Sequence, residues 1–106
     1  MSGEPRRLLD LDRTIHEPAR LAIVSVLSVL DRADFLFLLR ETGLSKGNLN
    51  AHMTRLEGAG YVQVEKTYRG KIPQTIYRLS DAGRSAFATY RRQLREAMGD
   101  GGDGGD

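Results

Sequence analysis

Between positions 45 and 55 the chain places a compact set of hydrogen-bonding side chains. Asn50, Thr54 and Arg55 fall on one side of a 3.6-residue wheel. Asn and Arg can each form paired hydrogen bonds to base edges, typically of adenine and guanine. Gly47 and Ala51 share that side and are small enough to let a helix sit deep in a groove. Ser45 and Lys46 stand just ahead of them, suited to phosphate oxygens. Leu49, Met53 and Leu56 take the other side, with His52 at its edge. By this wheel the outward side carries no acidic residue. Alone, the stretch reads equally as an ordinary amphipathic surface helix.

Other chemistry has little to work with. Cysteine is absent, which excludes disulfides, thiol redox sensing and cysteine-ligated metals. Ser45, Ser80 and Ser85 have no base nearby in sequence, and two of them read as helix caps. The carboxylates are scattered, and Arg69-Gly70-Lys71 is too short for a phosphate-binding loop. His16, just before Glu17-Pro18, reads as a surface or capping residue. With His52 it does not assemble a metal site. No catalytic residue, metal or cofactor is expected.

The elements that hold the set are well punctuated. Ser45 suits an N-cap, and Leu44 with Leu49 suits a hydrophobic staple. Gly60 fits a left-handed stop, with Tyr61 folding back on Leu56. The helix therefore spans about 45–59. Before it, Phe35 to Leu39 reads as a short helix ended by Gly43, with Phe35 in a brief strand, and a buried strand is the competing reading for so short an apolar run. After it, Val62 and Val64 alternate with Gln63 and Glu65, as in a half-exposed strand. Ile76 to Leu79 reads as a second strand, and Gly70 and Pro73 mark the turn between them. A helix starting at Pro18 is apolar nearly all round. A last helix capped by Ser80 is about 27 Å long and carries Phe87, Tyr90, Leu94 and Met98 in a stripe.

The 106 residues suit one domain. Residues 1–10 are expected to be a flexible arm, loose to Arg7, with the apolar set Leu8, Leu9, Leu11 and Ile15 in one or two helical turns or packed on the body or on a second subunit; 11–98 are the folded domain and 99–106 a disordered Gly/Asp tail. Net charge is +2, but removing the tail aspartates leaves 16 bases against 11 acids. From Leu44 to Leu79 there are six bases and two acids, a modest electrostatic footprint for nucleic acid. No apolar run is long enough for a membrane span, and none follows Arg6 and Arg7 as an export signal. A cytoplasmic address is expected.

The segment LSKGNLNAHMTRLEGAGYVQVEK resembles the recognition helix and first wing strand of winged-helix transcriptional regulators, nearest the small MarR/ArsR-like type. YRLSDAGRSAF resembles their second wing strand running into the final helix. Gly47, Asn48, Leu49, His52, Leu56, Gly60 and Tyr61 carry the characteristic pattern. The likeness runs from about Leu11 to Met98.

The resemblance implies an α+β winged helix-turn-helix that binds double-stranded DNA and regulates transcription, most commonly by repression. Asn50, Ala51, Thr54 and Arg55 would read bases. Ser45, Lys46 and the wing bases Lys66, Arg69 and Lys71, within about 66–75, would reach the backbone. His52 would pack against the hairpin or touch the backbone. A homodimer on a pseudo-palindromic operator is implied, with Leu11, Ile15, Leu21, Val24, Tyr90, Leu94 and Met98 at its interface. An effector, small molecule or protein, stays open. Leu36 and Phe37 depart from the family's pattern of small or charged residues there. That apolar excess supports an alternative, a winged-helix module for protein–protein assembly without DNA readout.

Overall fold

A computed structural model describes residues 3–99. A 3-10 helix (Pro5–Asp10) leads into α1 (Pro18–Val29), β1 (Ala33–Asp34), α2 (Phe35–Thr42) and α3 (Lys46–Gly58). Then come β2 (Val62–Arg69), β3 (Ile72–Leu79) and α4 (Asp81–Met98). The expected α+β architecture is present: a helical body with a small antiparallel sheet, ordered β1-β3-β2.

Local chemistry sets the boundaries. Glu17, Asp34, Ser45 and Ser80 each accept from an amide in the first turn of the helix they open. Caps of this kind contribute about 1 kcal/mol each. Pro18 occupies the first turn of α1, where its missing N–H costs nothing. α3 closes as expected. Gly60 has φ +81°, and the Tyr61 amide donates to the Leu56 carbonyl at 3.0 Å. This is the left-handed closure that only glycine adopts freely.

One core joins all layers. Ile15, Ile23, Leu27, Leu38, Leu49 and Leu56 are fully buried in it. α1 supplies one face, Arg20, Ile23, Val24 and Leu27. Its opposite side is open, with Ala22, Ser25 and Val29 exposed.

Four expectations need correction. First, the part of the arm expected to be loose, up to Arg7, is already coiled against α4 from Pro5, and Arg7 bonds Glu96 at 3.2 Å. Leu8 packs on the core and supplies the apolar reason. Second, Leu11, Ile15, Val24 and Tyr90 are at most 3% exposed within this single chain. Their area is spent on the chain's own core, so they offer nothing to a second subunit. Leu21 and Leu94 are half-buried against that core, whereas Met98 is exposed. Third, β3 begins at Ile72, not Ile76, and includes Pro73. β1 pairs only with Ile76 and Tyr77, so at Pro73 the strand has a single neighbour and tolerates a missing donor. Fourth, the brief strand is Ala33–Asp34, and Phe35 already belongs to α2. Beyond Gly99, the expected Gly/Asp tail lies outside the described residues.

Candidate nucleic-acid interface

α3 holds its set through a division of faces. Leu49, Met53 and Leu56 are buried, which leaves Lys46, Asn50, Ala51, Thr54 and Arg55 exposed along one side. Ser45 accepts from the Asn48 amide at 3.1 Å, so its oxygen serves first as a cap. The Thr54 hydroxyl donates to the Asn50 carbonyl at 2.9 Å. That bond uses its only proton and leaves lone pairs and a methyl group outward. Asn50 and Arg55 keep their side-chain donors free of intramolecular hydrogen bonds among the described residues.

The hairpin stands beside this helix. Its two-residue turn, Gly70-Lys71, joins paired strands of eight residues each, with Gly70 at φ +65°. Side chains alternate across the pleat. Lys66, paired with Thr75, therefore faces α3, while Arg69, paired with Ile72, faces α2. The wing bases thus divide. Lys66 shares a cleft of about 330 Å³ with Asn50, Thr54 and Glu57. Arg69 borders a second groove of about 660 Å³, with Leu36, Ile72 and Pro73. Lys71 is exposed at the tip.

Glu57 corrects the expectation of an acid-free outer face. It follows Asn50 and Thr54 at helical spacing and lines the cleft with them. The same wheel would have found it had the face been followed one turn further. It puts a negative charge at the wing end of an otherwise basic surface.

Residues 19–98 match the family model described as a winged helix DNA-binding domain. The chain belongs to that family. An uncharacterized protein of Methanocaldococcus jannaschii is 33% identical over 72 residues, covering 67% of this chain and 77% of that protein. A transcriptional regulator homologue from Pyrococcus horikoshii superposes with a TM-score of 0.82 at 27% identity, over 92% of this chain and 98% of that one. The transcriptional repressor CouR, solved on a 23-mer DNA duplex, shares the fold at 20% identity and a TM-score of 0.69, over 90% and 69% of the two chains. Further solved neighbours are MarR-, PadR- and ArsR-family transcriptional regulators.

In this winged helix, α2, the turn through Gly43 to Ser45 and α3 form the helix-turn-helix, and β2–β3 is the wing. The polar contacts of His52 are with α1 and the residue that caps it. Its Nδ1 lies 3.1 Å from an Arg20 guanidinium nitrogen and 4.0 Å from Glu17 Oε1. The amide of Arg20, helped by the charge of its guanidinium, holds the Glu17 carboxyl below the usual carboxylate range. Sequence reasoning passed over Arg20, although it stands four residues before Val24 on the core stripe of α1. At the wing, Asp34 caps α2 and accepts from Gln74 Nε2 at 3.0 Å. Among the described residues, no helix is long and apolar enough to cross a membrane.

Proposed function

We propose that this chain is a sequence-specific, double-stranded DNA-binding regulator of transcription. The observation that carries the reading is the continuous exposed face of α3. Asn50, Ala51, Thr54 and Arg55 lie there with no side chain packed over them and with Lys66 alongside. Asn50 and Arg55 specify bases, and Thr54 and Ala51 offer apolar contact to thymine methyl groups. Lys46, Lys71, Arg69 and the amides at the start of α3 grip phosphates and set register. Glu57 repels phosphate, or accepts from a cytosine amino group, at the edge of the site.

The regulator acts in the cytoplasm as a homodimer on a pseudo-palindromic operator, and represses by occupying it. Half-sites stand about 34 Å apart, one helical turn of DNA. With four of the expected interface residues spent on the core, the contact falls to the exposed Leu9 and Met98, joined by Leu21 and Leu94.

Selection of bound DNA from a random pool tests the proposal. A palindromic consensus bound with steep salt dependence is the expected result. Absence of binding to any duplex at low salt overturns it and favours the assembly-module alternative, whose natural surface is the groove beside Leu36.

A further inference from the structure

We infer that Arg20 is a positioning residue that fixes the roll of the recognition helix by holding His52. The inference rests on α3 being the DNA-reading element.

Arg20 is a buried charge, 8% exposed, on the core stripe of α1 with Ile23, Val24 and Leu27. An apolar side chain there would simply extend the core. A buried cation is costly unless it is hydrogen-bonded and opposed by negative charge. Arg20 meets both conditions. Its Nε donates to the Thr14 carbonyl at 2.5 Å and its Nη2 to the Arg13 carbonyl at 3.4 Å. Its Nη1 donates to His52 Nδ1 at 3.1 Å. The Glu17 carboxylate, held by the Arg20 amide at 2.8 Å, is near enough to feel the guanidinium's charge and opposes it without a direct ion pair. The guanidinium is flat and rigid, so two carbonyls on one edge fix where the third bond points. Arginine can only donate. His52 Nδ1 must therefore be the acceptor, with the ring proton on Nε2.

This directional tether does what the apolar stripe cannot. Leu49, Met53 and Leu56 hold α3 to the body by non-directional burial. That burial resists withdrawal but only weakly resists rotation about the helix axis. With roughly 5 Å from axis to side-chain surface, a roll of about 20° carries the reading atoms about 2 Å. Paired base contacts do not survive such a shift. His52 stands at the margin between the buried stripe and the Asn50–Arg55 face, where a tether opposes roll directly. The same upstream segment holds the end of the helix, because Tyr61 Oη donates to Asp12 Oδ2 at 2.5 Å.

The test compares His52→Leu, His52→Gln, Arg20→Met and the double variant Arg20→Met/His52→Leu. The readouts are affinity for the selected site, affinity for random duplex and the selected consensus. His52→Leu should lose about tenfold in specific affinity and broaden the consensus, while binding to random duplex is unchanged. His52→Gln keeps an acceptor and should retain the consensus. Arg20→Met should match His52→Leu, and the double variant should be no worse than either single one. His52→Gln keeps an acceptor for the buried guanidinium, and thermal melts of each variant separate loss of the fold from loss of base preference. Additive losses, or an unaltered consensus in His52→Leu, overturn the inference. If the wild type itself selects no consensus, the DNA-reading proposal is what fails. The tether is then judged on free protein: nuclear Overhauser contacts between α1 and α3 change alike in His52→Leu and Arg20→Met if it exists, and stay in place if it does not.

Discussion

Tyr61 Oη donates to Asp12 Oδ2 at 2.5 Å, joining residues 49 positions apart. The other oxygen of that carboxylate accepts from the amides of Thr14 and Ile15. One aspartate thus shapes the turn before α1 and fastens the exit of α3.

The pair has a signature at high pH. The bond to Asp12, then burial, pushes the Tyr61 hydroxyl up to about 12. A tyrosine titrates near 10 in an unfolded chain. The stabilisation is therefore complete below about pH 10 and is lost as pH rises through about 12. Because the pair is partly solvated, about 1 kcal/mol is at stake. Urea midpoints of the wild type should fall more across that window than those of Tyr61→Phe. Burial also raises Tyr77 and Tyr90, so both proteins should decline, and the difference between them isolates Tyr61.

Acid acts at the other end of the helix-turn-helix. The Phe37 amide, and after it the Gln74 side chain, hold the Asp34 carboxyl below its ordinary value. A carboxylate shifted this way stabilises above the unfolded value near 4, and the benefit disappears as pH falls through the folded value. Asn caps as well as Asp. Asp34→Asn should match the wild type at pH 7 and lose less stability at pH 3, whereas Asp34→Ala should cost about 1 kcal/mol at pH 7. Equal acid limbs for wild type and Asp34→Asn would falsify the assignment.

Two helical glycines should respond in opposite directions. A Cβ on Gly83 would run into the Tyr61 carbonyl, which accepts from the Ser80 amide at 3.0 Å. Neither side of that contact is a flexible side chain, so Gly83→Ala should destabilise by about 1–3 kcal/mol. A Cβ on Gly58 meets nothing within 4 Å. Gly58→Ala should stabilise by up to about 1 kcal/mol. Thermal melts of the two variants decide the matter, and melts shifted in the same direction refute it.

On DNA, α3 and the wing tip should separate by kind of effect. Arg55→Ala should cost about 1–3 kcal/mol on the selected site and relax preference at one position. Lys71→Ala should weaken all sequences alike and lower the salt slope by about 1. A Lys71→Ala variant with altered base preference would show that the wing tip reads sequence.

Most of the fold was legible in the sequence because it is written in short-range signals. The caps at Ser45 and Ser80, the stop at Gly60 and the apolar spacing of Leu49, Met53 and Leu56 all act within a turn or two. The outward set on α3 followed from the same periodicity. What stayed hidden depends on contacts distant in sequence. Arg20 looks like a polar interruption of α1 until Thr14 and His52 are seen around it. Leu11, Ile15, Val24 and Tyr90 have the composition of an interface, and only the packing of the upstream segment on α4 shows that one chain buries them. Pro73 suggested a loop because the local rule could not know that β1 stops two residues into the sheet. Glu57 was different. It was visible in the sequence and was missed by ending the helix face one turn early.

The two-residue turn at the wing tip has a consequence for how such a hairpin can change. Lys66 serves the α3 side and Arg69 the α2 side only because they sit three positions apart on a pleated ribbon. Lengthening each arm by one residue near its base would exchange their sides, and lengthening by two would restore them. The wing is therefore subject to a parity rule. Descendants of this sequence can lengthen the wing in even steps and keep Lys66 beside α3, while odd steps turn it toward the Leu36 groove.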